Sequence, residues 1–184
     1  MRKWCAKTNY DIALTSMDKV LLYPWHTLNF NKHISGLAYC TGRGRTDLQF
    51  YGWVCGAASQ LYRTALITPG IQITQRHGHS ERRSLYYGND ITGDDATIYE
   101  MYKQFEIKNN DDRGVYFRTI QKKDYDYLVA VSPYKTTQGV HITRTRETAL
   151  ITNLTRSIYD KTSRTILDEV SFPTRYTRKN NTRN

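Results

Sequence analysis

The chain has 184 residues, enough for one domain with a core of its own, or one domain with a small appendage. Its 39% hydrophobic content and mean hydropathy of -0.68 argue against a helical membrane protein, since no apolar run nears the roughly 18 to 20 residues a bilayer needs. A formal charge of +10 suits an anionic partner: a nucleic acid, an anionic cell-wall polymer or a membrane surface.

The N-terminus, Met1-Arg2-Lys3-Trp4-Cys5-Ala6-Lys7, is basic with no apolar segment behind it, so it is not a signal peptide as it stands. The protein is then cytoplasmic, or has lost a leader, or leaves the cell by another route. Asn9 reads as an N-cap, with Ile12, Ala13, Ser16, Met17, Val20 and Leu21 at helical spacing behind it. The spacing predicts a short helix over about residues 10–18, passing into an extended stretch that Pro24 breaks. Leu28-Asn29-Phe30-Asn31 follows as a loop or strand edge. Residues 35–51 are rich in Gly and Arg and read as a surface loop; Gly42-Arg43-Gly44-Arg45 lacks the GK[ST] ending of a phosphate loop.

Residues 52–80 organise the rest. Ala58, Leu61, Tyr62, Ala65 and Leu66 recur at i, i+3, i+4, i+7 and i+8, one apolar face of a helix that Pro69-Gly70 stops. Cys55 falls at or just before the start of that helix, where unpaired N–H groups and the macrodipole favour a thiolate. Ile71 and Ile73 alternate as a short strand and deliver His77 and His79 at its end. A loop over 80–95 carries Arg82, Arg83, Tyr86, Tyr87, Asp94 and Asp95.

From Ala96 the period becomes two. Thr97-Ile98-Tyr99, Gln104-Phe105-Glu106-Ile107-Lys108 and Val115-Tyr116-Phe117-Arg118-Thr119-Ile120 read as strands, the last two joined by an Asn109-Asn110-Asp111-Asp112 turn. Tyr127-Leu128-Val129-Ala130-Val131 and Gly139-Val140-His141-Ile142 are further strands. The last third reads as a hairpin about Asp160-Lys161-Thr162-Ser163. The predicted architecture is α+β in one domain: a central helix starting at the cysteine, packed on antiparallel strands, with a strand-rich C-terminal extension. Residues 9–120 form the main part, 121–174 the extension, and 175–184 a basic, disordered tail.

Three cysteines, Cys5, Cys40 and Cys55, include no CxxC and no zinc-finger spacing, so a structural zinc is not expected; His77 and His79, with Asp94 or Asp95 nearby, could bind a metal, but no metal or cofactor is the expectation. Outside the cell, pairing Cys5 with Cys40 would leave Cys55 free; three reduced cysteines fit a cytosolic protein equally. Cys55, His79 and Asp95 supply the types for a nucleophilic site: a thiolate to attack, an imidazole as base and then acid, a carboxylate to fix the imidazole tautomer. Each also has a plain structural reading, as core thiol, strand-end histidine and turn residue. His77 and His79 share a face if the strand continues, and Tyr86 and Tyr87 with nearby arginines suit a groove for glycan or nucleic acid.

These same residues carry a family resemblance. The chain resembles the VanW-like family, whose members read PG..FSFN, then GGGICQxSSTLYNAAL, then ERxxHS, then DATV, then a strand ending in NN. Here Pro24 with Leu28-Asn29-Phe30-Asn31 comes first, then Gly52-Trp53-Val54-Cys55-Gly56-Ala57-Ala58-Ser59-Gln60-Leu61-Tyr62. Gln75-Arg76-His77-Gly78-His79-Ser80, Asp95-Ala96-Thr97-Ile98 and Phe105-Glu106-Ile107-Lys108-Asn109-Asn110 complete the order. The chain departs from the pattern at Trp25, where the family has glycine, at Gly56, where it has glutamine, and at Ala58, where it has serine. If that glutamine serves an oxyanion, this chain lacks the donor.

The resemblance implies an exported bacterial protein of the cell envelope and a site of Cys55, His79 and Asp95 with Ser59; Arg76, His77, Tyr86 and Tyr87 are taken as binding residues around it. It implies no particular reaction. Two functions stand side by side. One is a non-catalytic module that binds wall polymer or joins an extracellular assembly. The other is a cysteine-dependent amide hydrolase or acyl transferase on peptidoglycan stem peptides. Nucleic-acid binding, a third, rests on charge alone.

Overall fold

The computed structural model describes residues 2–40, 51–80, 93–99, 101–122, 126–133, 135–148 and 150–177. Helix α1 (Arg2–Thr15) starts well before Asn9, so Asn9 is not a cap. Its buried side chain instead accepts the Cys40 N–H at 2.7 Å and donates to the Cys40 carbonyl at 3.3 Å. Cys5, one turn earlier on the same helix face, is disulfide-bonded to Cys40, with the Cα atoms 5.3 Å apart. Strands β1 (Leu21–Leu22) and β2 (Thr27–Asn29) follow. Asn29 then caps the short helix α2 (Phe30–Ile34), accepting the Lys32 N–H at 3.0 Å.

Helix α3 (Tyr51–Ile67) is the centre of the core. Val54, Ala57, Ala58, Leu61, Tyr62, Ala65 and Leu66 are all buried, and small residues at Ala57, Ala58 and Ala65 allow neighbours to pack closely. The helix begins one turn earlier than expected, so Cys55 lies in its second turn. Gly70, at φ +80°, makes the left-handed exit into β3 (Ile71–Gln75).

Among the described residues the strands form three antiparallel sheets. Strand β4 (Glu106–Asn109) lies between β2 and β3, while β5 (Val115–Gln121) lies between β1 and β6 (Asp126–Val131). The hairpin expected between β4 and β5 is therefore absent, because the chain crosses from one sheet to another. Asn109 directs the crossing: its buried amide donates to Leu22 O at 3.2 Å and to Arg113 O at 2.7 Å. The strand expected at Thr97-Ile98-Tyr99 is an extended segment with a single bridge, Tyr99 to Lys103.

The third sheet is β7 (Gln138–Arg146), β8 (Ile151–Asp160) and β9 (Ile166–Arg175). Its second hairpin turns at the expected place, where Asp160 Oδ1 accepts the N–H groups of Thr162 and Ser163, each at 2.8 Å. Arg156 of β8, only 3% exposed, docks this sheet on the turn after α3 by donating to Ile71 O and Thr68 O at 2.7 and 2.8 Å. Phe172 of β9 meets Tyr62 edge-on at 6.0 Å. Residues 175–177 do not begin a free tail: Arg175 ends β9, and Tyr176 is buried. The remaining basic run, 178–184, lies outside the described residues. Among the described residues no helix is long and apolar enough to cross a membrane.

Candidate active site

Three stretches build the site: the second turn of α3, the extended segment 76–80 after β3, and the extended segment 93–98. Ser59, one turn after Cys55, joins the first to the third. Its hydroxyl donates to Cys55 O at 2.8 Å and lies 3.2 Å from Ala96 O, and it accepts the Ala96 N–H at 3.0 Å. The second and third stretches are joined by the Thr97 N–H, which donates to His77 O at 2.7 Å. Backbone polar groups with no ladder partner are thus satisfied across the site.

Cys55, His79 and Asp95 converge. Asp95 is fully buried, and its Oδ2 accepts both the His79 backbone N–H, at 2.8 Å, and the ring Nδ1. That contact fixes the tautomer and leaves Nε2 as the ring's second nitrogen, and His79 and Cys55 lie near enough that each shifts the other's titration. Burial pushes the Cys55 thiol up, but hydrogen bonds from His79, the Ile98 N–H and Thr97 outweigh it and hold the thiol below its ordinary value. Burial pushes His79 down, yet the hydrogen bonds to Asp95 and Cys55 prevail and raise it to about 9. Both shifts run in the direction of a thiolate beside an imidazolium.

The thiol's partners differ from those expected at a helix start. A residue in the second turn has its own N–H inside the helix, and the macrodipole falls off within the first turn. The Ile98 N–H, 3.5 Å from Sγ, and Thr97 Oγ1, also at 3.5 Å, stand in for the free helix donors. The S–H in turn reaches Ile98 O at 3.6 Å. Cys55 and His79 are recessed, at 4% and 8% exposure.

Arg76 is turned inward. Its Nε donates to Asp95 O at 2.7 Å and its Nη2 to Gly93 O at 2.9 Å, with Asp95 Oδ1 at 3.4 Å. The guanidinium also sits 4.7 Å from the centre of the Tyr62 ring. It therefore orders the carboxylate segment. His77 is partly covered; burial and the charges of Lys103 and Arg76 hold its ring below the ordinary histidine value. Among the described residues no three side chains gather as metal ligands. Tyr86 and Tyr87 lie outside the described residues. A cleft of about 380 Å³, lined by Ile67, Pro69, Arg113 and Leu128 among others, opens at the opposite end of α3, roughly 18 Å along the helix from Cys55.

Sequence reasoning missed Thr97 as a thiol contact, Arg76 as an internal clamp, and Tyr176, whose hydroxyl lies 3.5 Å from Asp95 Oδ1. The DAT run carried the first as a signal, since Asp95, Ala96 and Thr97 each contact a different part of the site. Tyr176 sat in a basic run with no periodicity to mark it.

A family model described as a VanW-like protein matches residues 6–130. No curated protein matches the chain, and no solved structure does. The matched stretch holds Cys55, His79 and Asp95, and it ends before β7.

Proposed function

Since this chain belongs to the VanW-like family, whose model covers more than half of it, we propose that it is a cell-envelope protein with a cysteine-centred acyl-transfer site. One observation carries the reading: a buried carboxylate holds the His79 imidazole, and that imidazole in turn lowers the Cys55 thiol. Cys55 is the nucleophile, His79 the acid and base, and Asp95 the group that orients and stabilises the imidazolium. The thiolate adds to an amide carbonyl, and the imidazolium proton goes to the leaving amine as the C–N bond breaks. Water or a second amine, deprotonated by His79, then releases the acyl group from the thioester. Gly56 means that the oxyanion donor is not a side chain at that position.

The substrate class in this reading is a wall peptide such as a peptidoglycan stem, for which the +10 charge suits an anionic polymer nearby. The Cys5–Cys40 disulfide supports an oxidising location outside the cytoplasm. A second, non-catalytic reading is favoured by the small exposure of Cys55 and His79: the same three residues would then serve as an internal brace for a binding or structural module.

Mapping iodoacetamide alkylation of each cysteine against pH separates the two. The catalytic reading expects rapid modification of Cys55 near neutral pH, slowed roughly tenfold or more in His79→Ala. A Cys55 that resists until the protein unfolds overturns it. The sign of the pH dependence follows from His79. Its folded value, about 9, lies above the ordinary 6.5, so its contribution to stability is fully present below 6.5 and is lost as pH rises through about 9. Acyl transfer needs the imidazolium to protonate the amine, and it declines across the same alkaline limb.

A further inference from the structure

We infer that Tyr176, at the end of the C-terminal sheet, is a positioning residue for Asp95, so that β9 completes the site from outside the family-matched stretch. This role rests on the reading of Cys55, His79 and Asp95 as a catalytic relay. A carboxylate is useful to the relay only if one oxygen stays aimed at Nδ1 of His79. A free carboxyl group rotates readily about its last bond, so the other oxygen must be held as well. Oδ1 is the oxygen that Tyr176 addresses, at 3.5 Å, with Arg76 Nη2 at 3.4 Å. Arg76 gives its shorter hydrogen bonds to Asp95 O and Gly93 O, which places the segment rather than the carboxylate plane. The tyrosine hydroxyl supplies a second direction of hold on Oδ1.

Tyr176 is itself held firmly. It is 4% exposed, its N–H donates to Leu150 O at 2.7 Å, and the next N–H, from Thr177, donates to Ser80 O at 2.7 Å. The Thr177 hydroxyl reaches the same Ser80 oxygen at 3.1 Å. Thr174, two residues earlier, presses on the segment that bears His79: a Cβ added at Gly78 would come within 2.8 Å of Thr174 Cγ2. Gly93, at φ +112°, leads into Asp95, and a Cβ there would lie 3.6 Å from Thr152 Cγ2 and 3.9 Å from Thr174 Oγ1. The strand end is therefore wedged between the two segments that carry the imidazole and the carboxylate. Among the described residues, the charged and titratable groups in contact with the cluster include Cys55 on α3, Arg76 after β3 and Tyr176 itself, while Asp94, next to Asp95 in sequence, is held by Arg63 and Arg144.

The test is an NMR titration of the His79 imidazole in the full chain, assigned by its loss in His79→Ala, alongside Cys55 alkylation. Tyr176→Phe keeps the ring and its packing and removes only the hydroxyl; Tyr176→Leu removes both. In Tyr176→Phe the His79 midpoint should fall by roughly half a unit or more, as expected when an imidazolium loses a well-aimed carboxylate. Tyr176→Leu should lower it at least as far, and the alkylation midpoint of Cys55 should rise in both. A His79 midpoint that stays put or rises in Tyr176→Phe overturns the role of Tyr176. A wild-type Cys55 that is inert overturns the catalytic relay and this role with it. A reactive Cys55 with an unmoved His79 overturns only the positioning role.

Discussion

The stretch up to β6 and the C-terminal sheet of β7, β8 and β9 satisfy their polar groups in opposite ways. The sheet does so by repetition: nine residue pairs join β7 to β8 in unbroken register. The first stretch holds its site with single side-chain bonds: Ser59 to Ala96, Arg76 to Asp95, Asn109 to Leu22. The site draws on backbone N–H groups outside regular ladders, because a ladder occupies the N–H groups that would otherwise face a thiol or a carboxylate. The irregular part is therefore where one substitution reaches furthest, and the regular part is where it is absorbed.

The largest expected effect is at Asp95. Asp95→Ala leaves the buried Arg76 with backbone acceptors but no counter-charge and removes the acceptor for two His79 groups, and should cost about 3 to 5 kcal/mol in urea unfolding. A loss below about 1 kcal/mol would break the comparison, since the site would not be where stability is concentrated. Next is the cross-link across 35 residues. Replacing both Cys5→Ser and Cys40→Ser should cost about 3 to 4 kcal/mol under oxidising conditions. Amide exchange should rise in α1 and not in β8; equal loosening of both would join what the comparison separates. The smallest effect has the opposite sign. Trp25 sits at φ +64° with 61% exposure, a backbone setting that favours glycine, so Trp25→Gly should stabilise by about 1 kcal/mol in the same unfolding assay. No gain there would mean that the indole contributes as much as the strain removes.

Trp25 also gives a physical side to the departure from the resembled pattern: the backbone there takes a left-handed turn, a setting that suits glycine. Other motif residues acquire physical reasons in the same way. Asn31 accepts the Phe105 N–H at 3.1 Å and donates to Lys103 O at 3.0 Å, tying α2 to the start of β4. What was legible in the sequence was whatever repeats: the apolar face of α3 from Ala58 to Leu66, and the period-two strands about the Asp160 turn. Cys55, His79 and Asp95 could be set side by side because the family resemblance runs through all three; as residue types alone each had a plain structural reading. Asn9 was misread because a buried asparagine within a helix and one at its cap look alike in sequence. The β4–β5 crossing was misread because a turn-forming run does not say whether the strands it joins will pair. Arg76 was read as lying around the site, and only the fold reveals the buried carboxylate that it meets.

The double clamp of Asn9 on Cys40 has a consequence for the oxidation state of the protein. With both Asn9 hydrogen bonds on the Cys40 backbone, reduction of the disulfide does not release Cys40 from α1. The two thiols remain neighbours at a high effective concentration, so reoxidation is an intramolecular event that outpaces exchange with outside thiols. Cys55, within the core and on a different helix, has no comparable partner in reach. The fold thus separates a pair of cysteines that favours the oxidised state from a third that remains a thiol.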